Sequence, residues 1–186
     1  MKFNFFNLKV ALTSTLLAVF VFMFTLQSCT RKQRSDNYHY FQSFDELKGW
    51  VPEPQSLTDE LVTHSGKYCV YTNDANPYSP TLKLKFNDID KSKPKKIKAT
   101  VWCYTTSKFC KGSLCFQIKN PENEYKLWVA TPFEDVVSAQ NTWTKVEVLA
   151  DIPQSAFYSE NEIAMYVWNT GKDKIFLDDF ALEFFK

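Results

Sequence analysis

Asp178 and Asp179 stand side by side in KIFLDDFALEFF (174–185), a segment otherwise dominated by large apolar side chains. Read with a strand's period of two, Phe176, Asp178, Phe180, Leu182 and Phe184 share one face. Ile175, Leu177, Asp179, Ala181 and Glu183 take the other. A carboxylate on an apolar stripe is expensive unless something neutralises it. Backbone N–H donors or a lysine such as Lys67 are the partners available in the chain. The pair does not suit catalysis. Hydrolysis of a glycosidic bond needs two carboxylates facing each other across a cleft, and these two point to opposite sides of one strand. The other acids lie mostly in turns. There is no nucleophile elbow or phosphate loop. The only histidines are His39 and His64, and no CxxC occurs, so a zinc site is not expected. The expectation is a protein that is not an enzyme.

A second set of residues could do chemistry of another kind. Trp102, Tyr104, Gln117, Trp128, Tyr166 and Trp168 alternate with small apolar residues. Their partners in alternation are Ala99, Val101 and Cys103; Leu114, Phe116 and Ile118; Leu127 and Val129; and Ile163, Met165 and Val167. The small set reads as core. A solvent face of lysines, threonines and glutamates would be ordinary; this one is aromatic with an amide. Such a face can stack on the C–H faces of sugar rings while Gln117 meets hydroxyls. It can equally be covered by loops or by the segment 38–44, or dock another protein.

The elements that must position these residues are strands. Expected strands are Lys67–Thr72, Thr81–Phe86, Lys96–Tyr104, Ser113–Lys119, Tyr125–Ala130, Trp143–Ala150, Ile163–Trp168 and Lys174–Phe184. Turn residues separate them, at Asn73-Asp74, Asn87-Asp88, Asn120-Pro121 and Asn169-Thr170-Gly171. Residues 45–49 have room for one helical turn. The pattern is that of an all-β sandwich in one domain. A net charge of +1 gives no electrostatic reason to expect nucleic acid as a partner.

The N-terminus is a separate object. Lys2 and Lys9 lead into an apolar run, Val10–Leu26, which as a helix is about 25 Å long and marginal for spanning a bilayer. Leu26-Gln27-Ser28-Cys29 follows. This resembles a bacterial lipoprotein signal. The resemblance implies a signal peptide over 1–28, a lipid on Cys29, a polar tether over 29–37 and a domain over 38–186, held on the bacterial outer membrane by its lipid. It leaves open which side of that membrane the domain faces. Four cysteines remain, Cys69, Cys103, Cys110 and Cys115, as bridges in any of three pairings or as buried thiols.

Five segments fall in one order: FDELKGW (44–50), THSGKYCVY (63–71), KIKATVWCY (96–104), NTWTKVEVLADIP (141–153) and IAMYVWNTGKDKIFLDDFALEF (163–184). Together they resemble the carbohydrate-binding modules with a galactose-binding-domain-like jelly-roll fold. The resemblance implies a two-sheet jelly-roll β-sandwich that binds a polysaccharide or oligosaccharide. It also implies a structural calcium ion, held by Asp45, by the loop that includes Ser65 and Lys67, and by Asp178 or Asp179. Hard oxygen ligands suit calcium. The chain departs from the pattern in carrying Asp45 where the family usually has Glu. The expected function is thus a non-catalytic carbohydrate-binding lipoprotein of the cell envelope. The alternative is a structural or protein-binding envelope lipoprotein with no glycan ligand.

Overall fold

The computed structural model describes residues 38–46, 56–60, 63–89, 93–108 and 110–186. The expected signal peptide, Cys29 and the tether lie outside these residues, as does most of the possible helical turn at 45–49. Among the described residues ten strands run in the order β1 Tyr38–Gln42, β2 Leu57–Thr58, β3 Cys69–Thr72, β4 Leu82–Lys85, β5 Lys96–Thr105, β6 Gly112–Lys119, β7 Tyr125–Pro132, β8 Thr144–Asp151, β9 Glu162–Asn169 and β10 Ile175–Phe185. Among the described residues the helical elements are short 3-10 turns at Phe86–Asp88, Phe133–Asp135 and Gln154–Ala156. The eight expected strands all form; the short β1 and β2 were not anticipated.

The strands make two antiparallel sheets. One has the order β2-β3-β10-β5-β8, with β1 also pairing β10; the other has the order β4-β9-β6-β7. They stack as a jelly-roll β-sandwich. Between them lie Val101 and Cys103 of β5, Phe116 and Ile118 of β6, Ile163 and Met165 of β9, Leu82 of β4 and Val146 of β8, all fully buried. Each large aliphatic or aromatic side chain removed from water this way stabilises the sandwich by about 1.5–3 kcal/mol. At one edge the Thr131 hydroxyl of β7 donates to the Glu147 carbonyl of β8 at 2.8 Å, tying the two sheets.

Strict alternation fails in β10. Leu177 pairs with Cys103 and Asp178 with Trp102, but Ala181 pairs with Thr100. Three steps along β10 therefore match two along β5, a β-bulge. Asp179 sits in it with φ 49, in the left-handed region that aspartate tolerates better than most residues. Before the bulge the odd residues Ile175 and Leu177 face the core; after it the even residues Phe180, Leu182 and Phe184 do. This corrects the single apolar stripe expected over 176–184: Asp178 is on the outer side of its sheet, across from Trp102.

All four cysteines of the domain are buried free thiols. Burial pushes the Cys69 thiol up to about 12 and the Cys115 thiol up to about 11.

Candidate functional site

The outward-facing aromatics do not form one face. Trp102 and Tyr104 belong to β5, in the larger sheet; Gln117, Trp128, Tyr166 and Trp168 belong to β6, β7 and β9, in the smaller one. The sandwich lies between the two groups. This corrects the expectation of a single aromatic wall, and the two faces have different architectures.

On the larger sheet the loop 63–68 covers the outer face around Trp102 and Asp178. His64 lies flat on Trp102 and meets Trp143 edge-on, with centroids 5.8 Å apart. Tyr104 packs against Trp143 and Phe176. Beneath the loop Asp178 is wholly buried. Its Oδ2 accepts the N–H of His64 at 3.0 Å and of Ser65 at 3.1 Å; its Oδ1 accepts the N–H of Asp179 at 2.8 Å. Asp179 holds the loop's side chains: the Ser65 hydroxyl donates to its Oδ1 at 2.7 Å, and His64 Nδ1 meets its Oδ2 at 2.6 Å. Asp45, just past the end of β1, fastens the other side of the loop by accepting the Lys67 and Tyr68 N–H groups on Oδ1. Burial pushes the Asp178 carboxyl up to about 7, against the opposing pull of the backbone N–H groups.

Local backbone makes this clamp possible. At Phe44 the chain takes φ 69, which places the ring edge-on against Phe180 in the core while the next residue, Asp45, reaches the loop. Gly66 has φ 60, and a Cβ there would lie 1.7 Å from Asp45 Oδ2. Only glycine allows that turn and that approach.

The residues named for calcium thus converge, but on amides. The loop presents N–H groups, not carbonyl oxygens, to Asp178 and Asp45. Two N–H donors occupy Asp178 Oδ2 and two occupy Asp45 Oδ1. Among the described residues no group of three or more His, Cys, Asp or Glu side chains could hold a metal. This donor set does not fit a hard cation, which takes oxygen ligands on all sides. The loop's amides neutralise the acids instead, one of the two partners considered from sequence; Lys67 is bound through its backbone, not its ammonium.

The smaller sheet's outer face is open, and its residues fall in cross-strand rows. Trp168 is beside Ser113, Tyr166 beside Cys115, Ala164 beside Gln117 and Glu162 beside Lys119. Across β7, Ala130 flanks Cys115, Trp128 flanks Gln117 and Tyr125 flanks Lys119. Cys115 and Ala164 are small and buried, so the middle of the sheet is a low floor. Rings stand on both sides of it. Tyr78 stacks on Trp168 with centroids 6.1 Å apart and planes 12° apart, and meets Tyr166 edge-on. Trp128, Tyr125, Tyr78 and Trp168 are all exposed. A trough of about 240 Å³ runs between Tyr78, Thr81, Lys83, Gln117, Lys119, Tyr125 and Tyr166. The Tyr166 hydroxyl faces Gln117 Oε1 at 3.5 Å. Partial burial pushes the Tyr166 phenol up, so it stays a donor at neutral pH. A second hollow of about 460 Å³ adjoins in sequence, bounded by the β6–β7 turn at Asn120–Glu122 and by Tyr158–Asn161.

Two wall residues were not anticipated. Tyr78 lies in a turn region, where nothing in the alternation marks it. Tyr125 has the parity of the core residue Leu127, but the β6–β7 register shifts between Ile118 and Lys119, so Lys126 is an extra residue and Tyr125 comes out beside Lys119.

No family model matches the sequence, and neither does any curated protein. Among solved structures the chain is similar to a family-22 xylan-binding domain from Paenibacillus barcinonensis, at 16% identity, 79% of this chain, 94% of that one and a TM-score of 0.49. It is similar to a family-35 carbohydrate-binding module from Cellvibrio japonicus, at 11% identity, 78% and 92% coverage and a TM-score of 0.49. A C-terminal family-22 carbohydrate-binding module from Clostridium thermocellum matches at 10% identity, 77% and 90% coverage, with the same TM-score of 0.49.

Proposed function

We propose that this chain is a non-catalytic carbohydrate-binding lipoprotein of the bacterial cell envelope, and that its ligand lies on the outer face of the smaller sheet. The observation that carries the reading is the trough itself: the exposed rings of Tyr78 and Tyr125 line it, with Gln117 and Tyr166 beside them, on a sheet face whose middle is kept low by Cys115 and Ala164. Sugars need both an apolar plane and directional polar partners, and this surface supplies the two within one groove. None of the residues lining it is Asp or Glu. The nearby Glu162 is held by Lys83 at 2.9 Å.

The resemblance of residues 1–29 to a lipoprotein signal, with Cys29 at its end, is what supports a lipid tether to the outer membrane. The test is a glycan array followed by calorimetry on the chain purified in detergent. Saturable binding to a polysaccharide is expected, and no binding to any carbohydrate rejects the reading.

A further inference from the structure

We propose that the glycan taken by this trough is acidic, a polysaccharide carrying uronic acid carboxylates, with Lys119 as its charged contact. The inference rests on the carbohydrate reading above and adds the class of sugar.

The argument is one of donors and acceptors. Among the polar groups that line the trough, Lys83 and Lys119 are ammonium ions, which donate three hydrogen bonds each and accept none. A neutral sugar is met best by carboxylates and amides that accept from its hydroxyls, and here Gln117 is the only amide and no carboxylate lines the groove. The other acceptors are the hydroxyls of Thr81, Tyr78, Tyr125 and Tyr166, so the charged groups of the lining are all cationic and a ligand carboxylate would meet opposite charge.

The two lysines are not equivalent. Lys83 Nζ is 2.9 Å from Glu162 Oε1, so that pair is internally neutral. Lys119 lies between Glu162 and Tyr125 in the rows of the sheet. Its Nζ sits 4.4 Å from the centroid of the Tyr125 ring, and among the described residues it makes no ion pair. A ring holds an ammonium in place without consuming its charge. Lys119 is thus a half-buried cation beside an aromatic wall, with no ion-pair partner among the described residues.

The surroundings limit how much negative charge the ligand can bring. Glu122 and Glu160 line the second hollow with Lys126, Glu160 being paired with Lys85 at 3.2 Å, so that region offers little net positive charge to a densely sulfated chain. One free ammonium with acids nearby suits an isolated carboxylate.

The test is calorimetry on the chain purified in detergent, using glucuronoxylan, polygalacturonate and alginate, each beside its carboxyl-reduced form. At least one acidic polymer should bind roughly two- to fivefold tighter than its reduced form, as one partly exposed charge pair provides. That advantage should shrink at high salt. Lys119→Gln should erase the difference, and Lys119→Arg should retain most of it. Lys119→Gln should melt as the wild type does. Equal affinity for acidic and reduced polymers overturns the inference and leaves the carbohydrate reading standing. Tighter binding to a sulfated glycan than to any polyuronate overturns the uronate assignment. No binding to any of the polymers, acidic or reduced, removes this inference, and an empty glycan array would remove the reading beneath it as well.

Discussion

The imidazole of His64 and the indole of Trp102 lie face to face, with centroids 3.8 Å apart and planes 18° apart. The ring that alternation marked as a ligand contact is the seat on which a loop rests. His64 is fixed in turn by Asp179, and Ser65 joins the same carboxylate. The outer face of the larger sheet is therefore a fastening, and the opposite side of the sandwich is the exposed aromatic surface.

This division predicts opposite phenotypes for two tryptophans. Trp102→Ala removes a half-buried indole from under the loop and should cost about 2–3 kcal/mol of stability. It should leave glycan affinity unchanged. Trp168→Ala, or Tyr78→Ala in the stacked pair, should weaken binding roughly tenfold with little change in melting temperature. Thermal melts and calorimetry on the same samples check both. The reverse pattern would return the binding site to the larger sheet.

Gly66→Ala should be unusually costly for an exposed loop position. A Cβ would meet Asp45 Oδ2 at 1.7 Å, and the residue has φ 60. We expect a loss of about 1–3 kcal/mol. The two residues should be coupled: in an Asp45→Ala background the same change should cost less, because the clash is gone and only the backbone strain remains. Urea unfolding of the four members of the cycle measures this. Additive losses would show that Asp45 does not hold the loop.

The buried acid gives the domain an inverted acid response. Asp178 has a folded value of about 7 against an ordinary 3.8. Between those pH values the folded chain keeps a proton that the unfolded chain has released. The stability this group contributes is therefore full below about pH 4 and is lost as pH rises toward 7, at up to about 1.4 kcal/mol per pH unit. Carboxylates that are lowered on folding give the opposite slope. Asp178→Asn should flatten the decline, measured as unfolding free energies at intervals from pH 4 to 7.5. An unchanged profile in the variant would assign the slope elsewhere.

Calcium should have no effect on the melting temperature, at millimolar concentration or with chelator present. The amides of His64 and Ser65 already hold Asp178 Oδ2, and those of Lys67 and Tyr68 hold Asp45 Oδ1. A calcium-dependent rise that disappears in Asp178→Ala would restore the ion to the loop.

Much of this was legible in the residues. Eight strands, and the inward faces of β5, β6, β7 and β9, follow from alternation, because a period of two reports which side of its own strand a residue takes. It does not report which sheet a strand joins. That is why Trp102 and Trp168 read as neighbours although the core separates them. Nor does it register an extra residue. The bulges at Asp179 and Lys126 each reverse the parity beyond them, hiding Tyr125 among core positions and placing Asp178 on an apolar stripe it does not share. The strand β1 was missed because YHYFQ alternates too briefly; its pairing with β10, from Tyr38 with Phe184 to Gln42 with Phe180, is a long-range event. The acid's true partners, the loop amides, carry no side-chain signature at all.

The bulge in β10 has a consequence for how this chain can vary over time. Deleting the single residue Asp179 would close the bulge, set Phe180 opposite Val101 and leave Phe180, Leu182 and Phe184 facing inward, but it would remove the group that grips Ser65 and His64. The core therefore does not require the extra residue; the loop does, and a descendant that lost the clamp at His64 and Ser65 could shed Asp179 and keep its sandwich.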